Sequence, residues 1–307
     1  MRRIELLLEG NRFTSDNIYG YLYEPENGKI NKVIYVIHGI TEHMGRYEAF
    51  ASEMCNENIA VVGIDLRGHG KANTLTQIAS FGQNGFECVL RDIDLFYDYV
   101  NQKYNKDIYF LGFSLGSFLL REYINEYSKD KIAGAIIMGT GSQPSWILSM
   151  IMAVVKGEIN KVGYDKTTPL IKNLSFGEYN KKFKPNQTDF DWLCSSIESL
   201  HDYMNDPMCK KDISAGLFYD LLASMKKTGL KDAYNNVNKN LPILLLSGTD
   251  DPVGDMSKGV KKVYDDMLKA GFKNVKLELF DKARHDILHE THVSSKVYSF
   301  IKDFINE

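Results

Sequence analysis

Cysteine is scarce in this chain: four residues, Cys55, Cys88, Cys194 and Cys209, with no two in a C-x-x-C pair. That spacing excludes a cysteine metal cluster and the dense disulfide framework of a small secreted scaffold, and it fits reduced thiols in a cytoplasm. An excess of charge of one sign is missing too. The net charge is −3 with charged residues at 25%, so neither a nucleic-acid-binding surface nor a charged disordered tail is expected. No run approaches the ~20 apolar residues of a membrane span. The basic start MRRIELLLEG is broken by Glu5 and ends at Glu9, too soon for a signal-peptide core. Internal repeats and low-complexity tracts are absent, as are the G-x-x-x-x-G-K-[ST] and G-x-G-x-x-G phosphate loops. The expectation is a soluble cytoplasmic protein without a nucleic-acid partner.

Hydrophobic residues make up 44% of the 307 positions, enough for one large domain or a domain with an inserted subdomain. Apolar, β-branched runs recur at 32–39, 59–66, 107–114, 132–140, 242–251 and 274–280. They are continuous rather than alternating, as expected of strands covered on both faces. Helix-length stretches such as 84–103, 115–128 and 256–271 separate them, which predicts an α/β fold with a doubly wound, mostly parallel sheet. RRIELLLEG and NIYGYLYEP alternate better and read as antiparallel edge strands. Between 141 and about 235 no strand-like run occurs. A structureless loop of that length is improbable in a compact domain, so a helical cap is expected at 142–212, inserted into a core of 1–141 and 213–307. The segment SAGLFYDLLASMKK (214–227) is expected to lead back to the sheet as a helix.

One apolar run stops at Gly112-Phe113-Ser114-Leu115-Gly116. Glycine weakens a packed strand, so its presence on both sides of a serine asks for another reason. In a G-x-S-x-G elbow the serine occupies a strained strand-to-helix turn, and small neighbours let strand and helix approach closely. Its Oγ is then exposed at the carboxyl edge of the sheet, where open α/β sheets place their sites. A hydroxyl needs a base and an orienting acid. Downstream, TDDPVGD follows the run PILLLSG, and DKARHDILHE follows NVKLELF. This is the order Ser, then Asp or Glu, then His that the elbow requires, with Asp250 and Asp251 both open as the acid.

The stretches HGITEHMGRYEAFA (38–51), GIDLRGHGKA (63–72), GFSLG (112–116), NDPM (205–208), LLLSGTDDPV (244–253) and ARHDILHE (283–290) resemble the α/β-hydrolase superfamily. Within it they look most like the monoacylglycerol lipase and lysophospholipase-like branch, which also includes serine aminopeptidases. The resemblance implies Ser114 as nucleophile, Asp251 as acid and His285 as base, with an oxyanion hole from the backbone amides of Ile40 and Leu115. It implies no metal or organic cofactor. Three departures bear on substrate choice: Thr41 and Ser117 stand where glycine is common, and Phe113 where a polar residue is common. Thr41 is expected to narrow the entrance or to add a hydroxyl near the oxyanion.

Other motifs are weighed against this reading. His285-Asp286-x-x-His289 mimics the H-E-x-x-H zinc pattern, but it has the shorter aspartate and directly follows a strand instead of lying within a helix. His289 and His292 therefore read as surface or helix-start residues. His38 is expected to hold the oxyanion loop by hydrogen bonds, and His69 to serve a glycine-rich turn. Trp146 and Trp192 read as packing residues. In SWILSMIMAVV (145–155) only Ser145 and Ser149 are polar, so both sides of this segment need apolar partners. Met150 and Met152 are expected to wall an acyl pocket, and the cap to make transient membrane or micelle contact. The expected activity is hydrolysis of apolar acyl esters of the monoacylglycerol or lysophospholipid type, a small-molecule or lipid substrate. A thioesterase or a serine aminopeptidase would use the same triad, the latter with a carboxylate cluster drawn from Glu178, Asp189, Asp191 and Glu198. A non-catalytic binding protein on this fold is the remaining alternative.

Overall fold

The continuous β-branched runs become the middle of one sheet. A computed structural model describes residues 1–9, 17–73, 75–82, 84–127 and 132–307. Its strands are β1 (Arg2–Leu8), β2 (Ile18–Glu24), β3 (Lys32–Ile37), β4 (Ile59–Ile64), β5 (Ile78–Ala79), β6 (Ile108–Phe113), β7 (Gly134–Met138), β8 (Asp212–Ile213), β9 (Ile243–Gly248) and β10 (Val275–Phe280). Eight of them form a sheet in the order β1-β2-β4-β3-β6-β7-β9-β10. The pairings from β4 through β10 are parallel, and only β1–β2 and β2–β4 are antiparallel. The expected ends of the first run and of the helix at 115–128, residues 10 and 128, lie outside the described residues.

The helices are α1 (Glu48–Asn56), α2 (Gly85–Tyr104), α3 (Leu115–Glu126), α4 (Ser145–Val162), α5 (Pro169–Phe176), α6 (Ile197–Asn205), α7 (Ala215–Thr228), α8 (Lys258–Lys269) and α9 (Ser294–Asn306). They cover both sides of the sheet, which is why its central runs are mostly apolar. Along β3, Val33, Tyr35 and Ile37 join a core with α2, α3 and α8 residues such as Ile93, Leu119 and Val263. Ile34 and Val36 join the opposite core, with Phe50 of α1 and Ile301 of α9.

Two expectations are corrected. β2 is no edge strand: it lies between β1 and β4 and is almost wholly buried. The alternation that suggested an edge comes from tyrosines whose rings are buried while their hydroxyls find partners. Tyr21 donates to Asp65 Oδ2 at 3.0 Å. The interval after residue 141 also contains a strand, β8, which pairs in parallel with β5 through Ile78↔Asp212 and Ala79↔Ile213. Two residues are too few for any period to be read. The interval otherwise holds α4, α5, a 3-10 turn at Tyr179–Phe183, α6 and α7, joined by non-helical stretches such as 184–196.

Candidate active site

β6 ends at Phe113 and α3 begins at Leu115, so Ser114 alone makes the turn, with φ 51 and ψ −116. A side chain in that left-handed region is strained, and the flanking glycines explain how the turn is held. A Cβ on Gly112 would lie 2.3 Å from the Gly116 carbonyl oxygen, and one on Gly116 would lie 1.9 Å from the Ile37 carbonyl oxygen. Ser117 is buried and donates its hydroxyl to the Ser114 carbonyl at 2.6 Å, tying the first turn of α3 to the elbow.

The two loops beyond β9 and β10 converge on Ser114. His285 Nε2 lies 2.8 Å from Ser114 Oγ, and His285 Nδ1 lies 2.9 Å from Asp251 Oδ1. Asp251 is fully buried and its Oδ1 also accepts the Val253 amide at 2.8 Å. With Asp251 accepting at Nδ1, the imidazole carries its proton there and offers Nε2 to the serine hydroxyl. Asp250 is half-buried and points elsewhere, its Oδ1 near Thr249 Oγ1 at 3.3 Å. Phe113 and Trp192 pack their rings against His285, with centroids 4.9 and 5.3 Å away. Behind the ring, a Cβ at Gly139 would lie 2.9 Å from His285 Cε1.

Ile40 and Leu115 both border Ser114 in one cavity. Among the described residues neither amide has a hydrogen-bond acceptor. His38 holds the loop before Ile40: its Nδ1 donates to the Gly39 carbonyl at 2.7 Å and its Nε2 accepts the Leu66 amide at 2.9 Å. Burial pushes this imidazole down to about 3, so it stays neutral.

A buried ionic network, not foreseen from the sequence, surrounds this loop. Glu42 accepts the Gly39 amide at 2.7 Å, the Tyr47 hydroxyl at 2.8 Å and Arg46 Nε at 3.0 Å. Arg46 then donates to Asp286 Oδ2 at 3.0 Å, joining the Ile40 loop to the residue beside His285. Burial pushes the Asp286 carboxyl up, but His289 and Arg46 outweigh it and hold the group below the usual carboxylate range. The spacing Glu42-x-x-x-Arg46 was the visible signal. His289 is correspondingly only partly exposed. It bridges Asp286 Oδ2 at 2.8 Å and the Arg46 carbonyl at 3.2 Å, while His292 is exposed.

His43, Asp206 and Cys209 bring three potential metal-ligand atoms within 4.8 Å. Their hydrogen bonds argue for a different task. The Gly45 amide donates to His43 Nδ1, so Nε2 keeps the proton it gives to Asp206 Oδ2 at 2.8 Å. Burial pushes the Cys209 thiol well up, away from the thiolate that a metal needs. The cluster ties the loop after β3 to the segment after α6.

The larger cavity at Ser114 has a volume of about 300 Å³. Its walls come from α4 (Ile147, Leu148, Ile151), α5 (Leu174, Phe176), α7 (Phe218, Leu222, Met225) and Trp192. Burial pushes the phenol of Tyr179, also in the wall, up to about 12. Met150 and Met152, expected here, are not in the lining, and Met150 is 62% exposed. Trp146 is no packing residue either, at 65% exposure. The pocket faces the Ile147–Leu148–Ile151 side of α4, so Trp146, Met150 and Val154 fall on the outer side. Of Glu178, Asp189, Asp191 and Glu198, none lines this cavity: Glu178 pairs with Lys181, and Asp191 accepts the Gln187 and Thr188 amides at 2.7 and 2.8 Å.

The family model described as Serine aminopeptidase, S33 matches residues 28–292. The chain is 24% identical over 309 residues to a monoglyceride lipase homolog of Monkeypox virus, covering 95% of this chain and 96% of that protein. It is 25% identical over 299 residues to the Homo sapiens monoglyceride lipase, covering 93% and 86%. A thermostable carboxyl esterase from Bacillus coagulans, solved in complex with glycerol, superposes with a TM-score of 0.87 at 23% identity, covering 100% of this chain and 98% of that one. The chain therefore belongs to the serine aminopeptidase S33 family, in its monoglyceride-lipase-like branch, and is a serine hydrolase of the α/β-hydrolase fold.

Proposed function

We propose that the protein hydrolyses carboxylic esters of medium to long apolar acyl chains, of the monoacylglycerol or lysophospholipid type, through an acyl-enzyme on Ser114. The observation that carries this reading is the cavity of about 300 Å³ beside Ser114, whose lining among the described residues is mostly aliphatic and aromatic and includes no charged side chain. An aminopeptidase would need a carboxylate there for the substrate ammonium, and the lining supplies none. The helical segment 142–212 acts in this reading as a cap over the acyl chain. Trp146, Met150 and Val154, spaced four apart on α4 and each about half-exposed or more, are its contact with a lipid surface.

In the mechanism, Ser114 Oγ attacks the ester carbonyl as His285 Nε2 takes its proton, and Asp251 stabilises the imidazolium. The amides of Ile40 and Leu115 hold the tetrahedral oxyanion, each such donor worth about 2.7–4 kcal/mol of transition-state stabilisation. The carbon–oxygen bond to the alcohol breaks, and His285 returns the proton to the leaving oxygen. Water, deprotonated by the same histidine, then attacks the acyl-serine, releasing the acid and restoring Ser114.

The test is a ladder of p-nitrophenyl esters from acetyl to dodecanoyl, with aminoacyl anilides alongside. A buried methylene contributes ~0.8 kcal/mol, so kcat/KM is expected to rise roughly fourfold per methylene until the cavity is full. Ser114→Ala should lose about 10⁶ in turnover and its single fluorophosphonate label, with stability nearly unchanged. Activity confined to acetyl esters, or faster cleavage of anilides than of octanoyl esters, overturns the lipid reading. Labelling of the Ser114→Ala protein overturns the nucleophile.

A further inference from the structure

Two cavities meet at Ser114, and chemistry tells them apart. The leaving oxygen takes its proton from His285 Nε2, so the alcohol half of an ester lies on the His285 side of the serine. The cavity lined by both Ser114 and His285 has a volume of about 20 Å³, room for one water. The cavity without His285 is the apolar one of about 300 Å³. Acyl and alcohol halves therefore face very different space.

We propose that Thr41 is a specificity-determining residue for the alcohol: it selects esters of unbranched primary alcohols over those branched at the carbinol carbon. Thr41 lines the small cavity together with Glu42, Tyr203 and Asp286. It is β-branched yet has φ 64, a conformation in which such residues are outliers and which persists only where the surroundings over-determine it. The surroundings do so here. Thr41 Oγ1 donates to the Ile40 carbonyl at 2.6 Å and pairs with the Tyr203 hydroxyl at 2.7 Å, while the Thr41 carbonyl accepts the Lys210 amide at 2.8 Å. Tyr203 also borders an open groove of about 690 Å³ on its other side. The Thr41–Tyr203 bond is thus a bar across the alcohol side, between a water-sized space and a large one. A CH₂ next to the leaving oxygen extends past the bar in one direction, whereas a branched carbinol carbon needs a second direction that Thr41 occupies. Among monoacylglycerols this favours the 1-acyl over the 2-acyl isomer.

The inference rests on the ester-hydrolase reading above, and one experiment separates the two. n-Propyl and isopropyl octanoate share acyl chain and atom count, so their kcat/KM ratio, divided by the ratio for alkaline hydrolysis, reports branching alone; 1- and 2-octanoylglycerol form a second pair. The wild type should prefer the unbranched ester by about tenfold or more, the scale of one misplaced methyl in a pocket. Thr41→Gly, which keeps the left-handed backbone without strain, should bring each pair to within about threefold. Thr41→Ser, which keeps the hydroxyl and loses only the methyl, should fall between. A wild-type ratio near unity, or equal proportional losses for both esters in Thr41→Gly, overturns the role of Thr41 and leaves the ester reading standing. No turnover of any ester, with no fluorophosphonate label, overturns both.

Discussion

Asp250 and Asp251 are one backbone step apart and end in opposite environments. Asp251 is sealed from solvent with its Oδ1 on His285 Nδ1 at 2.9 Å, and Asp250 stays half-buried, its amide donating to the Ala283 carbonyl at 2.9 Å. An asparagine at 251 would offer either an amide that clashes with the Nδ1 proton or a neutral oxygen that no longer stabilises imidazolium. Asp251→Asn should therefore lower kcat by up to ~10⁴, while Asp250→Asn changes it far less. Steady-state kinetics on one octanoyl ester measures both, and equal losses or the reverse order would move the acid to Asp250. The neighbouring His289 illustrates how residue type misleads alone. Its distance from His285 mimics a zinc pair, yet its ring bridges Asp286 and the Arg46 carbonyl.

At the scale of elements, the site exists because α3 is driven hard against the end of β3. Gly116 makes that approach possible, and any Cβ there meets the backbone oxygens of Ile37 and His38, at 1.9 and 2.8 Å. Backbone atoms cannot rotate away, so the helix must shift, carrying the Leu115 amide off its alignment with Ile40. Gly116→Ala should cost about 1–3 kcal/mol, read as a lower urea midpoint with an unchanged slope, and activity per folded molecule should fall as well. Full activity at an unchanged midpoint would refute the close-approach argument. A second junction holds the segment that carries Trp192. Buried Glu290 accepts the Arg284 amide at 3.0 Å, the Ser195 amide at 2.8 Å and the Ser195 hydroxyl at 2.6 Å, and Arg284 donates to the Asp191 and Cys194 carbonyls. The loop bearing His285 and the wall stacked on its ring are thus one unit.

For the whole molecule, two buried neutral histidines set a response to acid. His38 and His69 meet edge to face with ring centroids 5.3 Å apart, and burial pushes both imidazoles down to about 3. In the unfolded chain they titrate near 6.5, so between pH 6.5 and 3 the unfolded state binds more protons and stability falls as pH falls. Their contribution is complete above pH 6.5, and each histidine adds at most about 1.4 kcal/mol per pH unit to the slope below it. Among the described residues His69 Nε2 has no partner and Nδ1 bonds only the Arg67 carbonyl at 2.8 Å, so His69→Phe removes one titrating group at small structural cost. Urea unfolding at pH 7, 6 and 5 should give this variant a slope with pH shallower by about one histidine's share. An unchanged slope would mean that His69 takes up its proton in the folded state.

The strands of the large sheet from β3 onward, the helices α2, α3, α7 and α8, and the elbow were legible in the residues alone, because each leaves a local mark. A strand covered on both faces must be continuously apolar, and a serine in a left-handed turn must have glycine-sized neighbours. The order Ser114, then Asp250 or Asp251, then His285 was legible for the same reason, since each follows the end of a recognisable strand; the choice of Asp251 came from the resemblance. The other features depend on contacts between distant segments. The two-residue pairing of β8 with β5 is too short to leave a period. The burial of β2 was hidden by tyrosines whose hydroxyls are satisfied from Asp65 and Met44. Which side of α4 faces the cavity could not be read from a segment apolar all round; packing against α7 turned Ile147 and Ile151 inward and left Met150 outside. Thr41 carries no local sign of its left-handed backbone, because that conformation is imposed by Tyr203 and Lys210, more than 160 positions away along the chain.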